Sequence, residues 1–295
     1  MEYSFDEITP RLGTSSYKWD ASLPEGVVLS PAEREKVIPL WVADMDFRCA
    51  PFIVEALQRR VSHGIFGYTS VPQSYFKSIM DWYSRRHHFE IERDWILYTS
   101  GVVPAVSATI KALTSPGDAV LVMTPVYNCF FSSIRNNLCR VEDAPLLYRR
   151  TSSGFTYDID WEMLDAKCSL PQVKILLLCS PHNPAGRVFT EDELRRIGAV
   201  ARHHGVIVVC DEIHCEIISP GYKFTPFAAV SQENLSGSIT LCSPSKSFNT
   251  AGLQIANIIS DNPLWREKID RAININEVCD VNPFGVVALE ASYFS

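Results

Sequence analysis

The sequence predicts an α/β fold: a mostly parallel central sheet covered by helices on both faces. Three features carry this. Short runs rich in Val, Ile and Leu recur without polar alternation, the pattern of strands buried on both faces. Stretches of helical periodicity separate several of them, as in chains that build parallel sheets. Polar residues of unusual chemistry stand where those runs end, and open α/β sheets bind ligands beyond the carboxyl ends of their strands.

Along the chain, residues 1–50 are irregular and rich in proline and aromatics. They read as an arm plus a small piece of domain. Pro51 suits a first helical position, and residues 52–61 carry apolar side chains near helical spacing, ending at Gly64. Residues 75–87 form a second amphipathic candidate. The expected strands are 95–98, 119–123, 174–179, 206–210, 239–242 and 256–259. The expected helices among them are 104–113, 128–136, 191–204 and 263–273, and a last helix begins near Pro283.

Composition narrows the function classes. The 295 residues are 46% apolar and 21% charged, ordinary globular usage. A net charge of −7 argues against a general nucleic-acid binder. No apolar stretch approaches the ~20 residues of a membrane helix. The N-terminus, "MEYSFDEITPRLGTSSYKWD", is acidic and polar and does not read as a signal peptide. Nine cysteines without a CxxC pair make metal and redox readings weak. Reduced thiols and a cytoplasmic location are the expectation.

The strand ends hold the chemistry. Run 95–98 leads into "TSGVVPAV", where Gly101 permits a tight turn before a helix. Unpaired amides at a helix start form an anion site, although an ordinary strand–turn–helix is spelled the same way. No Walker lysine or GxGxxG accompanies it, so nucleotide binding is not favoured. Run 174–179 ends in "SPHNPAGRVFT", with Pro181 and Pro184 bracketing Asn183. That amide either meets a ligand or sits in a plain turn. Run 206–210 ends in "DEIHCE". Asp211 follows a wholly apolar run, and buried charge needs a partner. A metal set of Asp211, Glu212 and His214 is disfavoured, because adjacent strand residues face opposite ways.

The stretch "SITLCSPSKSFNTAG" sets Lys246 among Ser243, Ser245 and Ser247 at the end of a core strand. A lysine there is either a solvated loop residue or an amine held for Schiff-base chemistry. Together these ends offer an anion nest, an amide, a buried carboxylate and a lysine flanked by hydroxyls. Pyridoxal 5′-phosphate asks for that set, with its phosphate, phenolic oxygen, pyridine nitrogen and aldehyde.

The ordered segments "PLWVADMDF", "FGYT", "SGVVPA", "TPVYNCF", "SPHNPAGRV", "DEIHCE" and "SPSKSFNTAGL" span residues 39–253. On them the chain resembles the fold-type I pyridoxal-phosphate enzymes, the aspartate aminotransferase superfamily. Within these it is most similar to the MalY/PatB-type cystathionine β-lyases, or C–S lyases. The resemblance implies a large cofactor-binding domain over 51–282, with 1–50 as N-terminal arm and part of a small domain. Residues 283–295 would then start a helix leading to a C-terminal part that this chain is expected to lack.

The resemblance also implies roles. Lys246 would form the Schiff base and, once freed, act as the base at Cα. Asp211 would pair with the pyridine nitrogen and Asn183 with the phenolic oxygen, and Tyr127 would stack on the ring or else be core packing. The phosphate would sit on the amides of Val102 and Val103, with Ser243 and Ser245 as candidate hydroxyl donors. Tyr68 would reach a phosphate across a homodimer interface. His214 stands where many aminotransferases carry tyrosine, and reads either as a cofactor-edge contact or as structural filler. Gln254 replaces an arginine common eight residues after the lysine, which leaves the phosphate to backbone and hydroxyl donors. Asp44 lies in a segment resembling the family's active-site entrance and receives no catalytic role.

The implied reaction is α,β-elimination on a cystathionine- or cysteine-type L-amino acid, giving thiol, pyruvate and ammonia. Transamination is the alternative. A third reading follows from the expected missing part, which in the family carries the arginine for the substrate carboxylate. None of residues 275–295 is Lys or Arg. A chain lacking that part would bind cofactor yet be catalytically weak, or regulatory.

Overall fold

Nine strands form among the described residues, which in the computed structural model are 5–20, 27–34, 36–152, 154–275 and 281–294. They are β1 (Ile96–Thr99), β2 (Ala119–Val122), β3 (Arg140–Asp143), β4 (Leu147–Thr151), β5 (Gly154–Asp158), β6 (Val173–Cys179), β7 (Ile207–Asp211), β8 (Ser238–Cys242) and β9 (Ala256–Ile259). The helices are α1 (Pro31–Arg34), α2 (Pro51–Ser62), α3 (Gln73–His87), α4 (Val102–Leu113), α5 (Asn128–Asn136), α6 (Trp161–Cys168), α7 (Glu191–His203), α8 (Gln232–Ser236), α9 (Pro263–Asn274) and α10 (Pro283–Phe294).

Seven strands make one sheet in the order β1-β9-β8-β7-β6-β2-β3, and β4 and β5 pair as a separate antiparallel hairpin. Neighbours from β8 through β3 are parallel. Strand β9 is antiparallel to both β8 and β1. Alternate residues of β6 feed opposite faces of the sheet. Leu176 and Leu178 pack into one apolar cluster with α6 and α7; Ile175, Leu177 and Cys179 pack into another with α4, α5 and α9. Strands buried on both faces cannot alternate polar and apolar residues, which is why these runs were continuous in the sequence. A third cluster joins α3 and α10 to the β1–β9 side, with Trp82 stacked on Tyr293 at 4.9 Å.

All six expected strands form, within a residue of their expected limits at each end. Helix α4 begins two residues before Pro104, which falls in the first turn, where proline costs no intrahelical bond. Thr190 caps α7 in a reciprocal box with Glu193. The unexpected elements are polar or short. Strand β3 reads RVED at the sheet edge, every residue of β4 is exposed, and α6 spans eight residues. No helix among the described residues is long and apolar enough to cross a membrane.

Candidate active site

The antiparallel β9 sets the geometry. Because β1 and β8 are both antiparallel to it, they point the same way, and β7, β6 and β2 follow. With β3, parallel to β2, six strands therefore end on one edge of the sheet. Past those ends lie Val102, Tyr127, Asn183, Asp211 and Lys246, so the topology gathers residues scattered over 145 positions of sequence.

Asp211 closes β7 and is 5% exposed. Its Oδ1 accepts from the Ile213 amide at 3.1 Å. Burial pushes its carboxyl up to about 6, against the opposing pull of that amide and of the Lys246 charge. Half-buried His214 is held below the usual imidazole range, first by burial and then by the same lysine. Lys246 thus acts electrostatically on both.

The loop bearing Lys246 joins β8 to its antiparallel neighbour β9, and it is braced internally. The Ser243 hydroxyl donates to the Ile255 carbonyl at 2.7 Å and accepts from the Ser245 amide at 3.1 Å. Phe248 N donates to Pro244 O at 2.9 Å, and Thr250 N to Ser245 O at 3.0 Å. The sequence offered Ser243 and Ser245 alike as hydroxyl donors. The structure commits the Ser243 proton to Ile255, so this hydroxyl shapes the loop, while the Ser245 side chain takes no part in the bracing.

Asn183 sits in a turn closed by His182 N to Arg187 O at 2.9 Å and Gly186 N to His182 O at 2.8 Å. Arg187 braces the turn from behind through Glu193 at 2.6 Å. Buried His182 faces the Met123 carbonyl at 3.3 Å and, driven first by burial, its pKa falls to about 4. It joins the Asn183 turn to the end of β2 as a neutral ring. From there Tyr127 lies edge-on to Phe130 at 6.0 Å. Burial first, then Cys129 and Asp211, keep its phenol protonated. Val102 and Val103 open α4, where the first amides have no helical partner. Gly101 before them is extended, with φ 172°, rather than in the tight turn its type allows. Tyr68 is 97% exposed and joins none of these residues within the chain.

Glu212 entered the sequence analysis only in a disfavoured metal set, and the structure gives it a different place. It turns away from the site, fully buried, and accepts from Phe227 N at 2.8 Å. Its second oxygen has no hydrogen-bond partner among the described residues. Burial, opposed by the Phe227 amide and the Cys210 thiol and reinforced by Asp211, raises its carboxyl to about 8. A carboxyl raised on folding stabilises fully below its unfolded value and loses that contribution as pH climbs through the folded one. The span from 4.5 to about 8 is worth at most about 5 kcal/mol. Thermal midpoints should therefore fall between pH 5 and 9, and Glu212→Gln, which keeps the acceptor for Phe227, should flatten that fall. An unchanged pH profile in the variant would remove Glu212 as its source.

One group among the described residues, His87, Cys215 and Glu216, brings metal-ligating atoms within 4.8 Å of one another. Glu216 already accepts from Trp82 at 2.9 Å and pairs with Arg86 and His87, each at 2.9 Å. The Arg86 charge at its carboxylate opposes a second cation.

A mostly parallel sheet covered on both faces, with a lysine, a buried carboxylate, an amide and a helix start at its carboxyl edge, defines an aminotransferase-like α/β enzyme fold. The family model described as aminotransferase class I and II matches residues 35–280. Cystathionine beta-lyase PatB of Bacillus subtilis is 40% identical over 290 residues, covering 98% of this chain and 72% of PatB. Protein MalY of Escherichia coli is 33% identical over 266 residues, covering 90% of this chain and 65% of MalY. Cystalysin from Treponema denticola, whose crystal structure contains a pyridoxal 5′-phosphate cofactor, superposes with a TM-score of 0.87 at 34% identity, over 100% of this chain and 73% of cystalysin. The chain belongs to the aminotransferase class I and II family, a pyridoxal-phosphate-dependent family, and within it to the branch of PatB and MalY.

Proposed function

We propose that this chain is a pyridoxal-phosphate-dependent carbon–sulfur β-lyase. Its substrates are L-amino acids with sulfur on Cβ, cystathionine or cysteine in type, and its products are thiol, pyruvate and ammonia. The observation that carries the reading is the buried, strongly desolvated Asp211 with the Lys246 charge acting on it, at the carboxyl edge of the sheet. A carboxylate so buried calls for a cation, and a protonated pyridine nitrogen is one. The unfilled amides opening α4 suit a phosphate. The residues present therefore fit the cofactor, and the likeness to PatB supports the lyase assignment.

When bound, the cofactor supplies an electron sink for the substrate's Cα. The chain's own residues do the rest. Lys246 Nζ would anchor the cofactor and, as a free amine, would take the Cα proton. Asp211 would hold the proton on the pyridine nitrogen, and Asn183 would donate to the phenolic oxygen. Tyr127 would cover the ring, and His214, held neutral by burial, would stand at its edge. Val102 N, Val103 N and Ser245 would hold the phosphate, while Ser243 keeps the loop of Ser245 in shape. Tyr68, fully outward in one chain, would reach the phosphate of a second copy in a homodimer. The α proton leaves to Lys246, the Cβ–S electron pair leaves with the thiolate, and water releases pyruvate and ammonia.

Transamination is the second reading, favoured by the family model's own description. One experiment separates them. Purified protein is mixed with pyridoxal phosphate, its visible band is tested with borohydride, and L-cystathionine is added. A band that borohydride fixes, followed by pyruvate and homocysteine in equal amounts, is expected. A keto acid that retains its sulfur would replace the lyase reading by the transaminase one, and a band without any product would overturn both.

A further inference from the structure

Asn249 lies three residues after Lys246 and fastens the lysine's loop to a segment 204 positions away. Its side-chain oxygen accepts from Met45 N at 3.0 Å, and its amide nitrogen donates to Met45 O at 3.1 Å and Phe47 O at 2.9 Å. Its own carbonyl accepts from the Cys49 thiol at 3.2 Å. The side chain thus engages both backbone groups of Met45, as a neighbouring strand would. Only a carboxamide carries the donor and acceptor this requires. Its φ of +56° lies in the left-handed region, which asparagine tolerates better than most residues.

The other side of the same segment is tied as firmly. Asp46 accepts from Arg11, Lys18 and Trp19, each at 2.8 Å, and Asp44 pairs with Arg11 at 2.6 Å. Residues 44–47 are therefore held between the N-terminal arm and the lysine's loop. Met45, Ser247 and Phe248 line one cavity of about 480 Å³. The loop itself does not depend on the Asn249 side chain, because its bracing runs through Ser243, Pro244 and Ser245.

We infer that Asn249 is a positioning residue for the Lys246 site. It fixes residues 44–47 as the wall against which the amino-acid substrate is held, and so governs substrate binding rather than the proton transfer. The inference rests on Lys246 being the cofactor-bearing lysine.

Two variants of the full chain test it. Asn249→Gly removes the side chain without straining a φ of +56°. Asn249→Asp keeps the shape and the acceptor but turns a carboxylate toward two carbonyls. In both, the borohydride-fixed band should persist, and amide exchange over 44–47 should quicken by about 10-fold. KM for L-cystathionine should rise by about 10-fold with kcat within about 3-fold, the pattern of lost binding. Unchanged exchange and KM, a fall in kcat at constant KM, or loss of the band would each overturn the inference. If the unaltered chain shows no turnover, the lyase reading fails by itself. Exchange over 44–47 then still decides whether Asn249 is the clamp.

Discussion

Lys246→Ala is expected to abolish the borohydride-fixed band and to lower turnover of an S-substituted L-amino acid by at least about 10³-fold. Two functions go at once. On the proposed mechanism the Nζ that anchors the cofactor is gone, and so is the base for the Cα proton. The loop should survive the change, since its internal bonds run through Ser243, Pro244, Ser245 and Thr250 and none uses the lysine side chain. A melting temperature near that of the parent, with both spectral and catalytic losses, is therefore the expected combination. Added methylamine, a free base of similar chemistry, should restore part of the turnover if proton transfer is what was lost. A variant that kept the band would place the anchoring lysine elsewhere and remove the proposed mechanism.

Asp211→Asn should act in opposite directions on activity and on the stability of the cofactor-free chain. Burial holds this carboxyl at about 6 in place of 3.8. A raised carboxyl contributes stability below the unfolded value and loses it as pH rises through the folded one, here from about 4 to above 6. At pH 8 the ionised group therefore costs the empty fold at most about 3 kcal/mol. Asparagine keeps the acceptor for the Ile213 amide and removes the charge, so the cofactor-free variant should melt higher at pH 8 and no higher at pH 4. With cofactor present, the neutral amide cannot hold the pyridinium proton, and turnover should fall about 10²- to 10³-fold. Denaturation at the two pH values and steady-state kinetics read the two halves separately. A variant as active as the parent would show that Asp211 does not face the ring nitrogen.

What the sequence made legible follows from burial. Strands β2, β6, β7 and β8 run through the middle of the sheet with both faces covered, so Val, Ile and Leu stand side by side and mark them. Edge strand β3 and hairpin β4–β5 meet solvent, and RVED and LYRRT carry no such mark. The same logic governs the site. Lys246, Asp211 and Asn183 were visible as polar residues interrupting apolar runs. Glu212 was legible only as a disfavoured metal ligand beside Asp211, and the fold shows it turned toward Phe227 instead. The partners of Asn249 lie at Met45 and Phe47, and no local spelling announces so distant a contact. Its place in "SKSFN" was the only available signal. Ser243 shows the converse: a hydroxyl in the right place by sequence, already engaged by the backbone in the structure.

The antiparallel β9 has a consequence for how the site is assembled in time. Ser243 and Ile255, the two ends of the lysine's loop, are 12 positions apart, and closing so short a loop costs little chain entropy. The contact from Asn249 to Met45 spans 204 positions, and contacts of such separation form late and slowly. The lysine is thus set in place by a local event, once β8 and β9 pair, whereas the wall facing it waits for the far end of the chain to return. A molecule whose N-terminal arm has not yet docked would already hold the Lys246 loop in register, in front of an unfinished doorway.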